Sequence, residues 1–389
     1  MAITAESLSI AYFSNNPIWL VCTSDQLGVV TNLRIKCLVQ LQNQQDVYRT
    51  ASVYESVNAE GAFVFNLGEL IYGMTRDWFD VPAFDVTSKI CTTTPIRAEI
   101  YLTEVYNGET GDSATDVTYI VNGGVRSEQL DVPNDWWTVF EIYADGDFTK
   151  IPFLTNKPLI STWKPKQPEF LYYYNHYEHN ADFDLGIEYL DQYGNSLAIA
   201  YHTRAGVPNN RIAMWNVGKI MQDRFAVGPD DGYYRIWMES DGEVVSHERL
   251  YYIDKEYYPN VRWLAFENKK GGFDTVALAG DDSVGGTIDG AFVGKEYLRG
   301  QHTGDGVRTV TKRKIERKIK KNSGWLTKLE RNWLIELLES KQVYEVTGYN
   351  EGAYADAVLL PIVLDTKDLP AVNSAEFLNG FLLEWTYGN

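Results

Sequence analysis

The segment WLAFENKKGGFDTVALAG, Trp263 to Gly280, sets a glycine pair between two runs of alternating apolar residues. A dinucleotide-binding loop needs three glycines opening a helix after a strand, and a P-loop needs a GK[ST] to place a lysine and a metal-binding hydroxyl at the phosphates. GGFDT has neither. Glycine also supplies the positive φ that tight turns demand, so the segment reads as a hairpin. His176 and His179 have the HxxH spacing that binds zinc on a helix, but YYYNHYEHNADF reads as extended and no third ligand follows at a recognisable spacing. The pair is therefore read as solvated or packed on aromatics, and His202, His247 and His302 as isolated surface or core residues.

The acidic turns Asp145-Gly146-Asp147, Asp230-Asp231-Gly232 and Asp281-Asp282 could offer oxygens to calcium, yet none continues into the spaced acidic loop that makes a calcium site specific. They are read as turn chemistry. There is no GxSxG elbow and no cysteine with a patterned histidine. A carboxylate pair for glycoside hydrolysis is defined by separation in space, which a sequence does not report. No catalytic residue, metal ligand or cofactor is assigned, and the expectation is a protein that is not an enzyme.

Two features could instead bind. Arg308 to Lys321 holds eight Lys or Arg against one acid, Glu316. It is either a solvated strand edge, where lysines deter unwanted pairing, or a docking surface for an acidic neighbour, with Lys312, Arg313, Lys314, Arg317 and Lys318 as the contacts. No aromatics interleave with these cations, so nucleic acid is not the expected partner. Aromatic clusters such as DWW (135–137) and LYYYNHY (171–177) are either strand cores and subunit contacts or platforms for a sugar, with Trp136 and Tyr173 as the stacking residues.

The elements that must hold these residues are strands. The chain has 389 residues, 44% hydrophobic and 14% aromatic, and carries a formal charge of −18. That charge argues against general affinity for nucleic acid or anionic lipid. It is also uneven, since residues 1–261 hold 18 Lys and Arg against 35 Asp and Glu, whereas residues 262–389 hold 17 against 18. Cys22, Cys37 and Cys91 form no CxxC and are read as buried free thiols. MAITAESLSI shows no secretion signal, and no apolar run reaches membrane length, so synthesis in a cytoplasm is expected.

LRIKCLVQL (33–41), AEIYLTEVY (98–106), DLGIEYL (184–190) and YYRIWMES (233–240) alternate apolar and polar residues between turn signals such as VNGG and ESDGE, a pattern of sandwiches with almost no helix before residue 320. Phe65-Asn66-Leu67-Gly68-Glu69-Leu70-Ile71 matches Trp215-Asn216-Val217-Gly218-Lys219-Ile220-Met221 in type at an offset of 150, which also lays Leu33–Val39 beside Phe183–Tyr189. The expected organisation is mainly β. A β-sandwich-like domain spans 1–155, a second and related one 156–257, and an α+β domain 258–389. The last holds one main helix over about Leu326–Leu338, with Leu329, Trp333 and Leu337 as core and Thr327 with Glu330 at capping-box spacing.

The order WLAFENKKGGFDTVALAG, a basic β-rich stretch, SGWLTKLERNWLIELLESKQVYEV, VLLPIVLDT and a final FLLEWTYGN resembles the C-terminal regions of structural proteins of tailed phages and prophages of Bacteroidetes-type bacteria. The likeness covers roughly the last third of the chain. It implies a β-rich tail, baseplate or connector (collar) protein of the virion, made in the bacterial cytoplasm and assembled with copies of itself and other virion proteins, with no membrane insertion. A carbohydrate-binding protein that engages a host surface glycan is the alternative, and a glycoside hydrolase the third. The chain lacks the coiled-coil or repetitive shaft of a fibre.

Overall fold

The computed structural model describes residues 3–6, 8, 11–124, 150–177, 179–224, 231–258, 260–294, 308–324, 326–348, 356–366, 378–380 and 382–387. The architecture is mainly β, with three helices among these residues. They divide into two compact units, one holding the described residues through Lys255 with the segment Phe266–Thr275, the other holding 256–265, 276–348 and 356–387.

The first unit contains two β-sandwiches. The N-terminal one uses β1 (Ile3–Ala5), β2 (Ala11–Phe13), β3 (Trp19–Ser24), β4 (Arg34–Gln42), β5 (Tyr48–Ser56) and β6 (Phe63–Asn66), then α1 (Gly68–Thr75), β7 (Ser88–Ile90), β8 (Ile96–Tyr106) and β9 (Glu109–Val121). β4 shows why these residues form a sheet with one buried face: Ile35, Cys37, Val39 and Leu41 point into the core while Arg34, Lys36, Leu38 and Gln40 alternate with them on the other face. The inward row meets Leu20, Cys22, Phe63 and Phe65 of the facing three-stranded sheet.

The second sandwich uses β10 (Ile160–Trp163), β11 (Phe170–Asn175), β12 (Ala181–Asp191), β13 (Ser196–Val207) and β14 (Arg211–Asn216), then α2 (Val217–Arg224), β15 (Asp231–Ser240), β16 (Glu243–Val244) and β17 (Arg249–Ile253). Its larger sheet runs β10-β17-β15-β12-β13, the same order as β2-β9-β8-β4-β5 in the first. In each, the first strand lies parallel to the last, with Ala11 opposite Tyr119 and Ile160 opposite Leu250, and the other neighbours on that path are antiparallel. The smaller sheets correspond as well, β3–β6 with β11–β14, and β6 and β14 each lead into an eight-residue helix. β7, from the N-terminal part of the chain, adds to β14 of the second sandwich.

The heptapeptide match thus marks the same joint twice, a strand ending in asparagine followed by one short helix. Two helices stand where almost none was expected before residue 320. An eight-residue helix with few apolar core contacts, Ile71 in one case and Val217, Ile220 and Met221 in the other, is too short to show a helical period.

The second unit is built on a seven-stranded sheet in the order β19-β18-β23-β24-β26-β21-β20. Its strands are β18 (Arg262–Glu267), β19 (Phe273–Leu278), β20 (Asp282–Gly294), β21 (Arg308–Asn322), β23 (Val343–Thr347), β24 (Val358–Leu364) and β26 (Leu382–Tyr387), while β22 (Leu326–Thr327) pairs with β25 (Leu378–Asn379). Its helix, α3 (Lys328–Glu339), starts at the Thr327–Glu330 capping box and buries Trp333, Leu334 and Leu337. Leu329 corrects the expected core, because it is 66% exposed. It sits in the first turn, in i, i+4, i+8 register with Trp333 and Leu337 but before the buried part of the helix begins at Arg331, so helical spacing gave its face and not where the cover starts.

Candidate functional site

The glycine pair is a turn. Asn268 N donates to Gly272 O at 2.9 Å, the Asn268 side-chain oxygen accepts from Lys270 N and Gly272 N at 2.9 and 3.1 Å, and Gly271 has φ +88°. Gly272 lies against the Tyr172 ring, where a Cβ would stand 2.6 Å from a ring carbon. Backbone amides that could cradle a phosphate are turned inward to Asn268.

Around that turn lies the most concentrated polar chemistry of the first unit. Lys157 Nζ sits 2.8 and 2.7 Å from the two oxygens of Glu169, and both side chains are buried. Tyr251 OH and Thr275 Oγ1 each donate to Glu169 at 2.9 Å, and Gln167 Nε2 adds a longer bond at 3.4 Å. Arg249, also buried, donates to the carbonyls of Lys157 and Pro158 at 2.9 Å and stacks 5.8 Å from the Tyr251 ring centre. Burial and the neighbouring Glu169 carboxylate push the Tyr251 phenol far above its usual range. A second knot follows, in which Asp274 accepts from Thr155 Oγ1 and Asn268 Nδ2, both at 2.8 Å. A buried carboxylate met by an ammonium and three further donors has its lone pairs occupied, so the cluster serves as a clamp between segments rather than as a reactive group. Sequence reading missed it because its members are scattered from residue 155 to residue 275 without a period.

The histidine pair stacks on aromatics. His176 and Tyr177 have ring centres 4.4 Å apart, Tyr177 and His179 5.7 Å, and Tyr177 lies over Phe183 at 6.2 Å. Among the described residues, no group of three or more His, Cys, Asp or Glu is placed to hold a metal ion. Asp282 accepts from Arg262 Nε at 3.2 Å. Asp145, Asp147 and Asp230 lie outside the described residues.

Tyr173 is not available to a sugar. All six residues of β11 are buried, the Tyr173 ring lies 5.9 Å from Phe153 and 5.2 Å from Phe183, and its hydroxyl donates to Val245 O at 2.8 Å. The physical reason is that β11 is covered on both faces, by the sandwich core on the Tyr173 side and by Phe84 and Gly272 against Phe170 and Tyr172 on the other. Trp136 lies outside the described residues.

The basic run occupies β21, and the register divides it. Over Lys318–Asn322, β21 lies between β20 and β26. There Lys318 and Lys320 both reach Glu384, Lys318 also reaches Asp365 at 3.4 Å, and Lys321 is buried and donates to Asn260 O at 2.7 Å. Hydrogen bonds from Lys318 and Lys320 hold the Glu384 carboxyl below its usual range. Lys318 is thus engaged within its own fold. Lys312, Arg313, Lys314 and Arg317 lie farther along, where among the described residues β21 pairs with β20 alone, opposite Ala291, Gly290, Asp289 and Gly286.

No family model and no curated protein matches the sequence. Among solved structures, the crystal structure of red sea bream transglutaminase matches 66% of this chain at 11% identity with a TM-score of 0.20. The match covers 31% of that protein. At that score the likeness carries neither a fold nor an activity to this chain.

Proposed function

We propose that this chain is a structural subunit of a virion, placed in a phage tail, baseplate or collar and acting through protein–protein contacts rather than catalysis. One observation supports the reading above others. β20 and β21 pair from Asp282–Lys321 to Gly294–Arg308, whereas β26 accompanies β21 only from Lys318 to Asn322. Among the described residues, the remaining ten or so residues of each strand pair only with one another, as a two-stranded arm roughly 30 Å long at about 3.3 Å per residue.

A two-stranded ribbon is marginally stable alone in water and becomes fixed when another surface covers it. The arm carries Arg308, Lys312, Arg313, Lys314 and Arg317 against Asp289 and Glu316. An acidic protein surface suits it, and residues 1–261 of a second copy, with their excess of acids, offer one. The partners are therefore copies of the chain and other virion proteins. Replacing Arg313, Lys314 and Arg317 together by Glu tests this: the variant should remain folded and lose salt-sensitive assembly, and a variant that assembles as before would refute it.

A further inference from the structure

The register of β20 and β21 sorts the residues of the arm by type. Residues two apart on a strand share a face, so Arg313, Ile315 and Arg317 share one, opposite Gly290, Ile288 and Gly286. Lys312, Lys314 and Glu316 share the other, opposite Ala291, Asp289 and Thr287. Toward the sheet the lysine face continues into Lys318 and Lys320, which reach Glu384. The arginine face continues into Ile319, which is buried, with Val284 opposite it at 60% exposure. One face thus mixes lysines with acids, as a solvated surface does. Over Val284–Gly290 and Arg313–Ile319 the other holds arginine, isoleucine, valine and glycine and no acid, which is the composition of a contact surface, where arginine is enriched and lysine and glutamate are depleted.

The outer faces of the two larger sandwich sheets differ in charge. In the first, the outward rows of β4 and β8 carry Arg34, Lys36 and Arg97 against Glu99. In the second, the outward rows of β12 and β15 carry Asp182, Asp184, Glu188 and Glu239 against Arg235. Glu188 takes that arginine, at 2.6 Å from its Nε. Asp184 and Glu239 stand directly opposite each other, a like-charged pair that is unfavourable by itself. Among the described residues no Lys or Arg bonds to either, since Asp184 accepts from the Thr203 hydroxyl, and Glu239 from the Trp237 indole at 2.5 Å and Tyr201 OH at 3.4 Å. Arg204 of the neighbouring β13 lies in the inward row, opposite Phe183.

We infer that the arm docks through its Arg313–Ile315–Arg317 face onto the outer face of the second sandwich of another copy, with the Asp184–Glu239 pair receiving a guanidinium. This rests on the arm being an assembly contact, and adds which face it uses and what that face meets. Charge complementarity selects the partner. Of the two larger sandwich faces only this one holds acids in excess, and a guanidinium between two opposed carboxylates relieves their repulsion while the Tyr201 and Trp237 rings beside it suit a planar cation. The apolar members of the arm's face, Val284, Ile288 and Ile315, then meet Ile199 and Tyr201, which are 51% and 50% exposed. Arm and acceptor are different surfaces of one chain, so the contact is heterologous and passes from copy to copy.

Two charge-matched double variants of the full chain test the choice of face. In mass photometry at low salt, Arg313→Gln with Arg317→Gln should weaken assembly by about tenfold or more, and Lys312→Gln with Lys314→Gln by less than about threefold. A mixing experiment tests the acceptor. Arg313→Glu with Arg317→Glu should fail to assemble alone, as should Asp184→Lys with Glu239→Lys, each with unchanged circular dichroism. Mixed, the two should assemble again, because the reversed arm of one fits the reversed face of the other and their unaltered surfaces fit as before. Equal losses from the arginine and lysine pairs, or a mixture that stays dissociated, would overturn the inference and leave the arm's role in assembly standing. A parent whose assembly salt does not change would remove both.

Discussion

Asn66 and Asn216 close equivalent strands of the two sandwiches, and each turns its side-chain oxygen onto the helix that follows, Asn66 to Gly68 N at 3.2 Å and Asn216 to Lys219 N at 3.1 Å. Asn216 does more, because it is buried and its amide also donates to Phe84 O at 3.2 Å. Asn66 precedes the N-cap residue Leu67, and replacing it by Ala should cost about 1 kcal/mol, the usual loss of one hydrogen bond. Asn216→Ala should cost about 2 to 3 kcal/mol, since it also strands a buried carbonyl. Urea unfolding of the two variants checks the difference, and equal costs would count against the buried role of Asn216.

The Lys157–Glu169 pair predicts strong coupling. Removing either partner leaves a buried charge, so Lys157→Met or Glu169→Gln should each destabilise the first unit by about 3 to 5 kcal/mol. The double variant should cost clearly less than the sum. Additive losses in a double-mutant cycle would mean that the clamp is not a unit.

Burial pushes the Cys22 thiol up to about 11 and the Cys37 thiol up to about 12, and Cys91 well above the ordinary value of 9.0. The native protein should therefore resist thiol reagents at neutral pH and yield three reactive thiols on denaturation. For an acid whose folded pKa is raised, the stabilisation is complete below the unfolded value and lost as pH rises through the folded one. Unfolding by alkali should accordingly gain a proton-release component from about pH 9 upward. Rapid labelling of the native protein would contradict the burial.

In α3, Leu329 and Leu337 should part company. Leu337→Ala removes a fully buried side chain and should cost about 2 to 5 kcal/mol. Leu329→Ala should lie within about 0.5 kcal/mol of the parent, as surface changes do. Chemical denaturation of both variants tests this.

Tyr173→Phe keeps the ring and removes one of two hydrogen bonds to Val245 O, which still accepts from Ile151 N at 2.9 Å, at a cost of about 0.5 to 1.5 kcal/mol. Tyr173→Ala should act on stability alone, by about 3 to 5 kcal/mol. Loss of glycan-array binding by a Tyr173→Phe variant of unchanged stability would restore the sugar reading.

The sheets were legible in the sequence because their cores alternate, as Ile35, Cys37, Val39 and Leu41 do, and because turns such as Asn268–Gly272 need particular residues. The joint at Asn66 and Asn216 was legible as a repeat but not as a helix start, since one short helix shows no period. Burial of Tyr173 and exposure of Leu329 depend on what lies across a sheet or behind a helix, which local pattern does not carry. The Glu169 clamp arises only when distant segments meet in space. The division of the basic run follows from the length of β26, six residues, against the fifteen of β21.

The central claim, that the basic arm is an assembly contact, is tested most directly by mass photometry of the full chain and its Arg313→Glu, Lys314→Glu, Arg317→Glu variant from about 0.1 to 1 M salt. Over that range the screening length falls from about 10 to 3 Å. The parent should form large species at low salt that dissociate at high salt, and the variant should stay dissociated throughout. Large species of the variant at low salt, or a parent distribution that salt does not change, would contradict the account.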